Sequence, residues 1–137
     1  MSSQSALRIS ILFLVLLSTL VVDAEPNQIS DKTVETTHYR ITFRSELQPL
    51  KINTMHSWII HVETHAGEIV DNLQISIKGG MPQHNHGLPT EPQMTRYLGK
   101  GDYLIEGMKF HMAGQWQIEL SLKGEHGEDK VLFDLVL

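Results

Sequence analysis

The segment Gln115-Trp116-Gln117-Ile118-Glu119-Leu120-Ser121-Leu122 alternates polar and apolar residues over its whole length. Successive side chains of a β-strand point to opposite faces, so this pattern predicts a strand with one buried face. A turn-forming stretch rich in Gly and charged residues follows at 123–129, and a second alternating segment ends the chain. The two segments therefore predict a β-hairpin at the C-terminus.

The same two-residue period recurs through the rest of the chain, and no stretch after residue 24 shows a sustained helical period. Short strands separated by turns, in a single domain of this size, predict an all-β fold, an antiparallel β-sandwich. The strand spacing favours an immunoglobulin-like topology of about seven strands. The predicted strands lie at residues 39–44, 56–64, 73–78, 94–98, 103–106, 116–122 and 131–135.

The chain begins with a segment that differs in composition from the rest. Its first residues are Ser-rich and carry one positive charge, residues 9–22 are almost wholly apolar, and Ala24 is a small residue suited to a cleavage site. This pattern predicts a secretory signal peptide at 1–24, a flexible linker at 25–36 and a folded domain at 37–137. We therefore expect an exported protein, periplasmic or extracellular, without a membrane span after cleavage. Retention of the apolar segment as an anchor is the alternative.

The composition argues against several classes of function. The formal net charge is −5 and the chain has no basic cluster, which argues against nucleic-acid binding. It has no cysteine, so the domain must be held together by its core rather than by disulfides. No Ser-His-Asp order, Gly-rich phosphate loop or His-Glu-x-x-His motif is present, so we expect no enzymatic activity.

Two histidines lie in the stretch 79–87, which glycines and a proline mark as an exposed loop. His84 and His86 are separated by one residue, and in extended backbone residues two apart point to the same side. Met81 adds a thioether three residues before His84. Imidazole together with thioether suits copper, whereas zinc sites usually take Cys, His or carboxylate. The stretch therefore predicts a copper site, and a solvated turn is the alternative.

A second group of candidate ligands lies at residues 107–116, where His111 and Met112 are placed between neighbouring strands. In a sandwich this turn and the His84 loop can lie at the same end, which would bring the two groups together. Met112 can instead pack in the core beside Trp116, because methionine commonly fills gaps in cores. Met94 is a third thioether, and the sequence leaves open whether it is a ligand or a core side chain. The other histidines are expected at the surface or in polar settings, namely His38, His56, His61, His65 and His126.

Two motifs resemble the YtkA-like domain family. The first is Met81-Pro82-Gln83-His84-Asn85-His86-Gly87, and the second, within 103–116, reads Tyr-x-x-x-Gly-x-x-Phe-x-Met-x-Gly-x-Trp. The resemblance covers most of the chain after the apolar segment, and it implies an immunoglobulin-like sandwich outside the cytoplasm and a role in copper handling. A more distant likeness connects the chain to FixH-like proteins, whose membrane-anchored members are tied to cytochrome oxidase assembly. By position, the motifs match Met81, His84, His86, Phe110, Met112, Gly114 and Trp116.

Together these features predict an exported copper-binding domain that acts in copper handling or delivery, with a copper-receiving or membrane protein of the cell envelope as its partner. Thioether ligands favour Cu(I). Because a metal-binding imidazole must be unprotonated, we expect the ion to be released as pH falls. The alternative is a non-catalytic protein-interaction module of the cell envelope, in which His84 and His86 only shape the loop.

Overall fold

A computed structural model describes residues 31–137, and this part of the chain folds as nine β-strands with every strand pair antiparallel. No helix within it is long and apolar enough to cross a membrane. The signal peptide predicted at 1–24 lies outside the described residues. The strands are β1 (Lys32–Glu35), β2 (Arg40–Ser45), β3 (His56–Glu63), β4 (Gln74–Met81), β5 (His86–Gly87), β6 (Gln93–Gly99), β7 (Asp102–Met108), β8 (Gln115–Gly124) and β9 (Gly127–Val136).

The strands form a continuous ladder that folds into two layers. The order is β1-β2-β3-β7-β6 in the first layer and β4-β8-β9 in the second, with β5 paired to β4. The two layers are connected where β4 pairs with β6, through the single residue pair Ser76 and Gln93. Phe133 of β9 packs against Phe43 of β2 and Trp58 of β3, with ring centres 4.6 and 5.8 Å apart. The two layers thus enclose one core, and the predicted all-β antiparallel fold is confirmed.

The alternation of polar and apolar residues that predicted the C-terminal hairpin coincides with the alternation of exposed and buried side chains in β8. Its inward side chains are at most 1% exposed, and their neighbours along the strand face outward. Trp116 lies opposite Leu135 and Ile118 lies opposite Phe133, so the apolar faces of β8 and β9 coincide. Full burial of a side chain of this size stabilises the fold by about 1.5–3 kcal/mol relative to exposure.

The structure has two strands beyond the predicted set, β1 and β5, and a longer β4 than predicted. Strand β1 lies within the stretch expected to be a flexible linker; its backbone pairs with β2, and the Arg40 guanidinium contacts the Glu35 carboxylate at 2.6 Å. Strand β4 extends through Gly79 and Gly80 to Met81, so these residues are not part of an exposed loop as predicted. A Cβ at Gly79 would lie 2.6 Å from Ile118 Cδ1, so glycine lets β4 pack closely on β8.

The strand directions sort the described histidines to two opposite ends of the sandwich. We call the loop end the one formed by residues 82–85, residues 109–114 and the start of β3. We call the paired end the one formed by residues 36–39, residues 64–68 and the turn between β8 and β9. His56, His84, His86 and His111 lie at the loop end, and His38, His61, His65 and His126 lie at the paired end.

Candidate functional site

A tight hairpin between β4 and β5 carries His84 and His86. The His84 N–H donates to the Met81 carbonyl at 3.0 Å, so residues 81–84 form a β-turn with Pro82 at its second position. Proline is favoured there because its ring fixes φ near the required value. Asn85 follows with φ of +53°, a left-handed conformation that asparagine adopts more readily than most residues. The local sequence thus specifies the turn that presents both histidines.

The two imidazoles lie beside each other and are both exposed. The ring centres of His84 and His86 are 6.4 Å apart, and the ring planes differ by 28°. The left-handed residue between them, rather than the extended backbone that we expected, gives this arrangement. A Cβ at Gly80 would lie 2.7 Å from the His86 carbonyl oxygen, so the close approach of β4 and β5 requires glycine.

The 109–114 loop is fixed at both ends by backbone hydrogen bonds. The Asn53 N–H donates to the Phe110 carbonyl at 2.7 Å, which ties the loop to the segment before β3. Gly114 and Leu137 exchange two backbone hydrogen bonds, of 2.8 and 3.1 Å. Gly114 has φ of +124°, a conformation that side-chain-bearing residues rarely adopt. The loop is therefore held in place by the C-terminus on one side and by the 46–55 segment on the other.

His111 extends the pair of imidazoles into a row of three. Its ring centre lies 6.1 Å from that of His86, edge to face, and 5.5 Å from that of the buried Trp116. The Trp116 indole N–H donates to the Met112 carbonyl at 3.0 Å, which holds the backbone next to His111. His84 is thus the outermost ring of the row and His111 the innermost, half-buried one.

One ring nitrogen of this row is both buried and without a hydrogen-bond partner in the part of the chain that the structure describes. His111 Nδ1 is buried and makes no hydrogen bond within residues 31–137. A buried polar atom without a partner costs about 1–3 kcal/mol, so such an atom in a native structure usually has a function or binds a ligand. A neutral imidazole nitrogen is also a common ligand for transition metals. The chemistry of this nitrogen therefore fits that of a metal ligand.

The six ligands predicted from sequence separate into two groups in the structure. His84, His86, His111 and Met112 share the surface of the loop end, and the Met112 side chain is 37% exposed. Met81 is 1% exposed and packs beneath the hairpin, where its Cε would be 2.9 Å from a Cβ at Gly114. Met94 is half-buried against the core from β6. The thioethers of these two methionines belong to the core, and Met112 does not.

The three imidazoles require adjustment before they can share one ion. Within residues 31–137, no group of three or more His, Cys, Asp or Glu side chains is arranged to hold a metal. Ligating nitrogens lie about 2.0–2.1 Å from an ion such as zinc, whereas the ring centres here are 6.1 and 6.4 Å apart. The rings of His84 and His86 are exposed and can turn inward by rotation about their side-chain torsions.

The structure corrects the prediction for His56, which was expected in a polar setting. Its side chain points into the core with Trp58, Ile60 and Val62, and the residue is 8% exposed. Burial lowers the pKa of His56, and this effect outweighs the opposite one of its hydrogen bond to the Thr54 carbonyl. The two-residue period of β3 already placed His56 on the inward face and was the sequence pattern that could have identified it.

The imidazoles of the paired end each contact a carboxylate. The nitrogen–oxygen distances are 2.9 Å for His38–Asp129, 2.7 Å for His61–Asp102, 2.9 Å for His65–Glu35 and 3.3 Å for His126–Glu125. Burial alone would raise the pKa of Asp129, but hydrogen bonds from Thr36 and from the His38 backbone and ring outweigh it and lower the pKa. Each of the four histidines thus has at least one ring nitrogen beside a carboxylate.

A sequence model of the YtkA-like family matches residues 19–121, about three quarters of the chain. The match includes the hairpin that carries His84 and His86 and the loop that carries His111 and Met112. No curated protein and no solved structure matched the chain.

Proposed function

The chain belongs to the YtkA-like family, and from this membership and the row of imidazoles at its loop end we propose that it is an exported copper-binding domain that handles or delivers copper. The single observation that carries the proposal is the buried Nδ1 of His111, which has no hydrogen-bond partner within residues 31–137 and belongs to a ring whose centre is 6.1 Å from that of His86. At the paired end at least one nitrogen of each imidazole contacts a carboxylate, whereas the described residues provide no such contact for the three rings of the loop end.

The proposed ligands are His84, His86 and His111, with the thioether of Met112 as a fourth. Imidazole and thioether together select a soft ion, and Cu(I) is the first-row ion that most favours sulfur ligands of this kind. The proposed set contains no carboxylate, which distinguishes it from sites for calcium or magnesium. The half-buried His111 is the fixed end of the set, and the two exposed histidines of the hairpin close on the ion.

This ligand set suits transfer rather than storage or catalysis. His84 and His86 are exposed, so a partner of the cell envelope can approach the ion from the side of the hairpin. In the proposed closing movement the His84 and His86 side chains rotate, while hydrogen bonds at Met81 and Leu137 hold the backbone of both loops. Metal-binding imidazoles must be unprotonated, so acid favours release. The protein is accordingly proposed to bind and hand on copper without an enzymatic step.

The experiment is a titration of the full chain with Cu(I), Cu(II) and Zn(II), alongside a His84→Ala/His86→Ala variant. The matched control is His65→Ala/His126→Ala, which removes two imidazoles from the paired end. We expect one-to-one Cu(I) binding in the wild type and the control, weaker Zn(II) binding, and loss of Cu(I) binding in the loop-end variant.

Two results would contradict the copper proposal. One is the absence of Cu(I) binding by wild-type protein whose folding has been confirmed by circular dichroism. The other is equal affinity in the loop-end variant, which would move the site elsewhere. If the control variant alone lost binding, the assignment of roles to the two ends would be reversed.

A groove beside His86 favours a second candidate function, a protein-interaction module. It has a volume of about 360 Å³ and lies against β4 and β8, with glycines at 79, 80 and 87 and the side chain of Leu132 among its lining residues. Leu132 is 56% exposed, and an exposed apolar side chain in a groove can receive a partner. A photo-crosslinker at Leu132 should then capture a protein that one at Tyr97, on the other layer, does not.

A further inference from the structure

Strand β3 carries two buried polar atoms that make no hydrogen bond within the described residues. They are His56 Nε2 and the indole nitrogen of Trp58. Both side chains point into the core from the same face of the strand, and their ring centres are 6.5 Å apart. Trp58 is fully buried and His56 is 8% exposed. Neither atom belongs to the proposed copper site, and each is costly to leave without a partner.

The hydrogen bond of His56 fixes which of its nitrogens carries the proton. Nδ1 lies 3.0 Å from the Thr54 carbonyl oxygen. A carbonyl oxygen can only accept, so Nδ1 must donate. Burial lowers the pKa of this imidazole, which favours its neutral form. In that form Nε2 carries a lone pair and no proton, so it needs a donor.

Trp58 presents the complementary requirement. An indole nitrogen only donates, so it needs an acceptor. The polar side chain opposite Trp58 in the ladder belongs to Ser45, which is also buried. Its hydroxyl already donates to the Leu47 carbonyl at 2.8 Å and accepts the Leu47 N–H at 3.2 Å. Strand β3 therefore carries one unpaired acceptor and one unpaired donor on two inward-facing rings whose centres are 6.5 Å apart.

We propose that one internal water molecule binds between His56 and Trp58, accepting the indole N–H and donating to Nε2. A water molecule satisfies both atoms at once, and buried waters commonly occupy such positions. A metal cation would satisfy only the lone pair and would face the positive end of the indole N–H dipole, so the pair selects a neutral molecule. The site is thus a structural water site of the core, independent of copper binding.

The test measures transfer of magnetisation from water to the two indole N–H protons in ¹⁵N-labelled full chain. Rotating-frame experiments distinguish direct proximity from chemical exchange by the sign of the cross peak. We expect a cross peak of proximity sign for Trp58 and none for Trp116, whose N–H donates to Met112. A Ser45→Ala variant controls for transfer through the neighbouring hydroxyl, and the peak should persist in it. His56→Phe should lose the peak.

Four results would overturn the proposal. Absence of the Trp58 peak, its exchange sign, or its loss in Ser45→Ala would overturn the proposal. A long-range ¹H–¹⁵N spectrum that shows a proton on His56 Nε2 would overturn it as well, because water could not then donate to that nitrogen. These wild-type measurements decide the question even if His56→Phe fails to fold.

Discussion

The two ends of the sandwich use the same residue type in opposite ways. At the paired end, carboxylates lie 2.7–3.3 Å from the nitrogens of four imidazoles. At the loop end, the ring centre of His86 is 6.4 Å from that of His84 and 6.1 Å from that of His111, and Nδ1 of His111 is buried with no hydrogen-bond partner in residues 31–137. A carboxylate beside one ring nitrogen fixes the orientation of that imidazole, whereas no carboxylate contact within residues 31–137 orients the three rings of the loop end. The number of histidines therefore does not by itself identify a ligand site, and the neighbours of each ring must be compared.

The methionines divide between the core and the surface. All five methionines of the described residues lie in β4, β6, the end of β7 or the loops of the loop end. Met81 and Met108 are fully buried, whereas Met55 and Met112 are 58% and 37% exposed. The exposed Met112, next to His111 in the chain, distinguishes this surface from the carboxylate-rich paired end.

The largest expected effect separates Met81 from Met112. Met81→Ala removes a fully buried side chain and should lower the free energy of unfolding by about 2–5 kcal/mol. Met112→Ala removes an exposed side chain and should change it by less than about 0.5 kcal/mol, while weakening Cu(I) binding. Urea unfolding and Cu(I) titration of both variants provide the measurement. A stable Met81→Ala protein with impaired Cu(I) binding would show that Met81 is a ligand.

An intermediate effect is expected at the paired end. The Asp129 carboxylate, 6% exposed, accepts hydrogen bonds from Thr36 and from the backbone and ring of His38. Asp129→Asn places an amide N–H among these donors and should cost about 1–3 kcal/mol of unfolding free energy. Asp134→Asn, on the outward face of the same strand, is the control and should be nearly neutral. Equal stability of the two variants would mean that the paired-end contacts do not stabilise the fold.

A smaller effect is expected on the pH dependence of the free energy of unfolding. His56 and Asp129 should act on it in different pH ranges. The pKa of His56 is lowered in the folded protein, so below its ordinary value of 6.5 the unfolded state takes up a proton more readily. Stability should therefore fall as pH drops from 6.5 through the folded-state pKa. The lowered pKa of Asp129 acts in the same direction but only near and below 3.8.

Urea unfolding between pH 7.5 and 5 checks this expectation. The His56→Phe variant should show a shallower loss of stability over this range than the wild type. Parallel pH profiles for the two proteins would mean that His56 is no more difficult to protonate in the folded state than in the unfolded state.

The elements that were predicted from sequence are those with local burial patterns. Strand β8 alternates in every residue, and its inward side chains are buried as expected. Strand β1 was missed because Lys32–Glu35 has little apolar periodicity; it is held by backbone pairing to β2 and by the Glu35–Arg40 contact. An interaction with a residue outside the segment leaves no pattern within the segment itself.

Only part of the candidate site could be predicted, because the burial of Met81 depends on how β4 packs against other strands. The sequence allowed the hairpin and the 109–114 loop to lie at the same end, and the ring centre of His111 is 6.1 Å from that of His86. The burial of Met81 was not foreseen, although Ile77, Gly79 and Met81 continue the inward alternation of β4 through two glycines. The glycines suggested a loop, whereas close packing on β8 and β5 requires them within the strand.

The most direct test of the difference between the two ends is histidine-resolved NMR during addition of Cu(I). One equivalent should shift or broaden the ring signals of His84, His86 and His111, and the four imidazoles of the paired end should remain unchanged. Changes at His38, His61, His65 or His126 instead, or no change at any ring, would contradict the account.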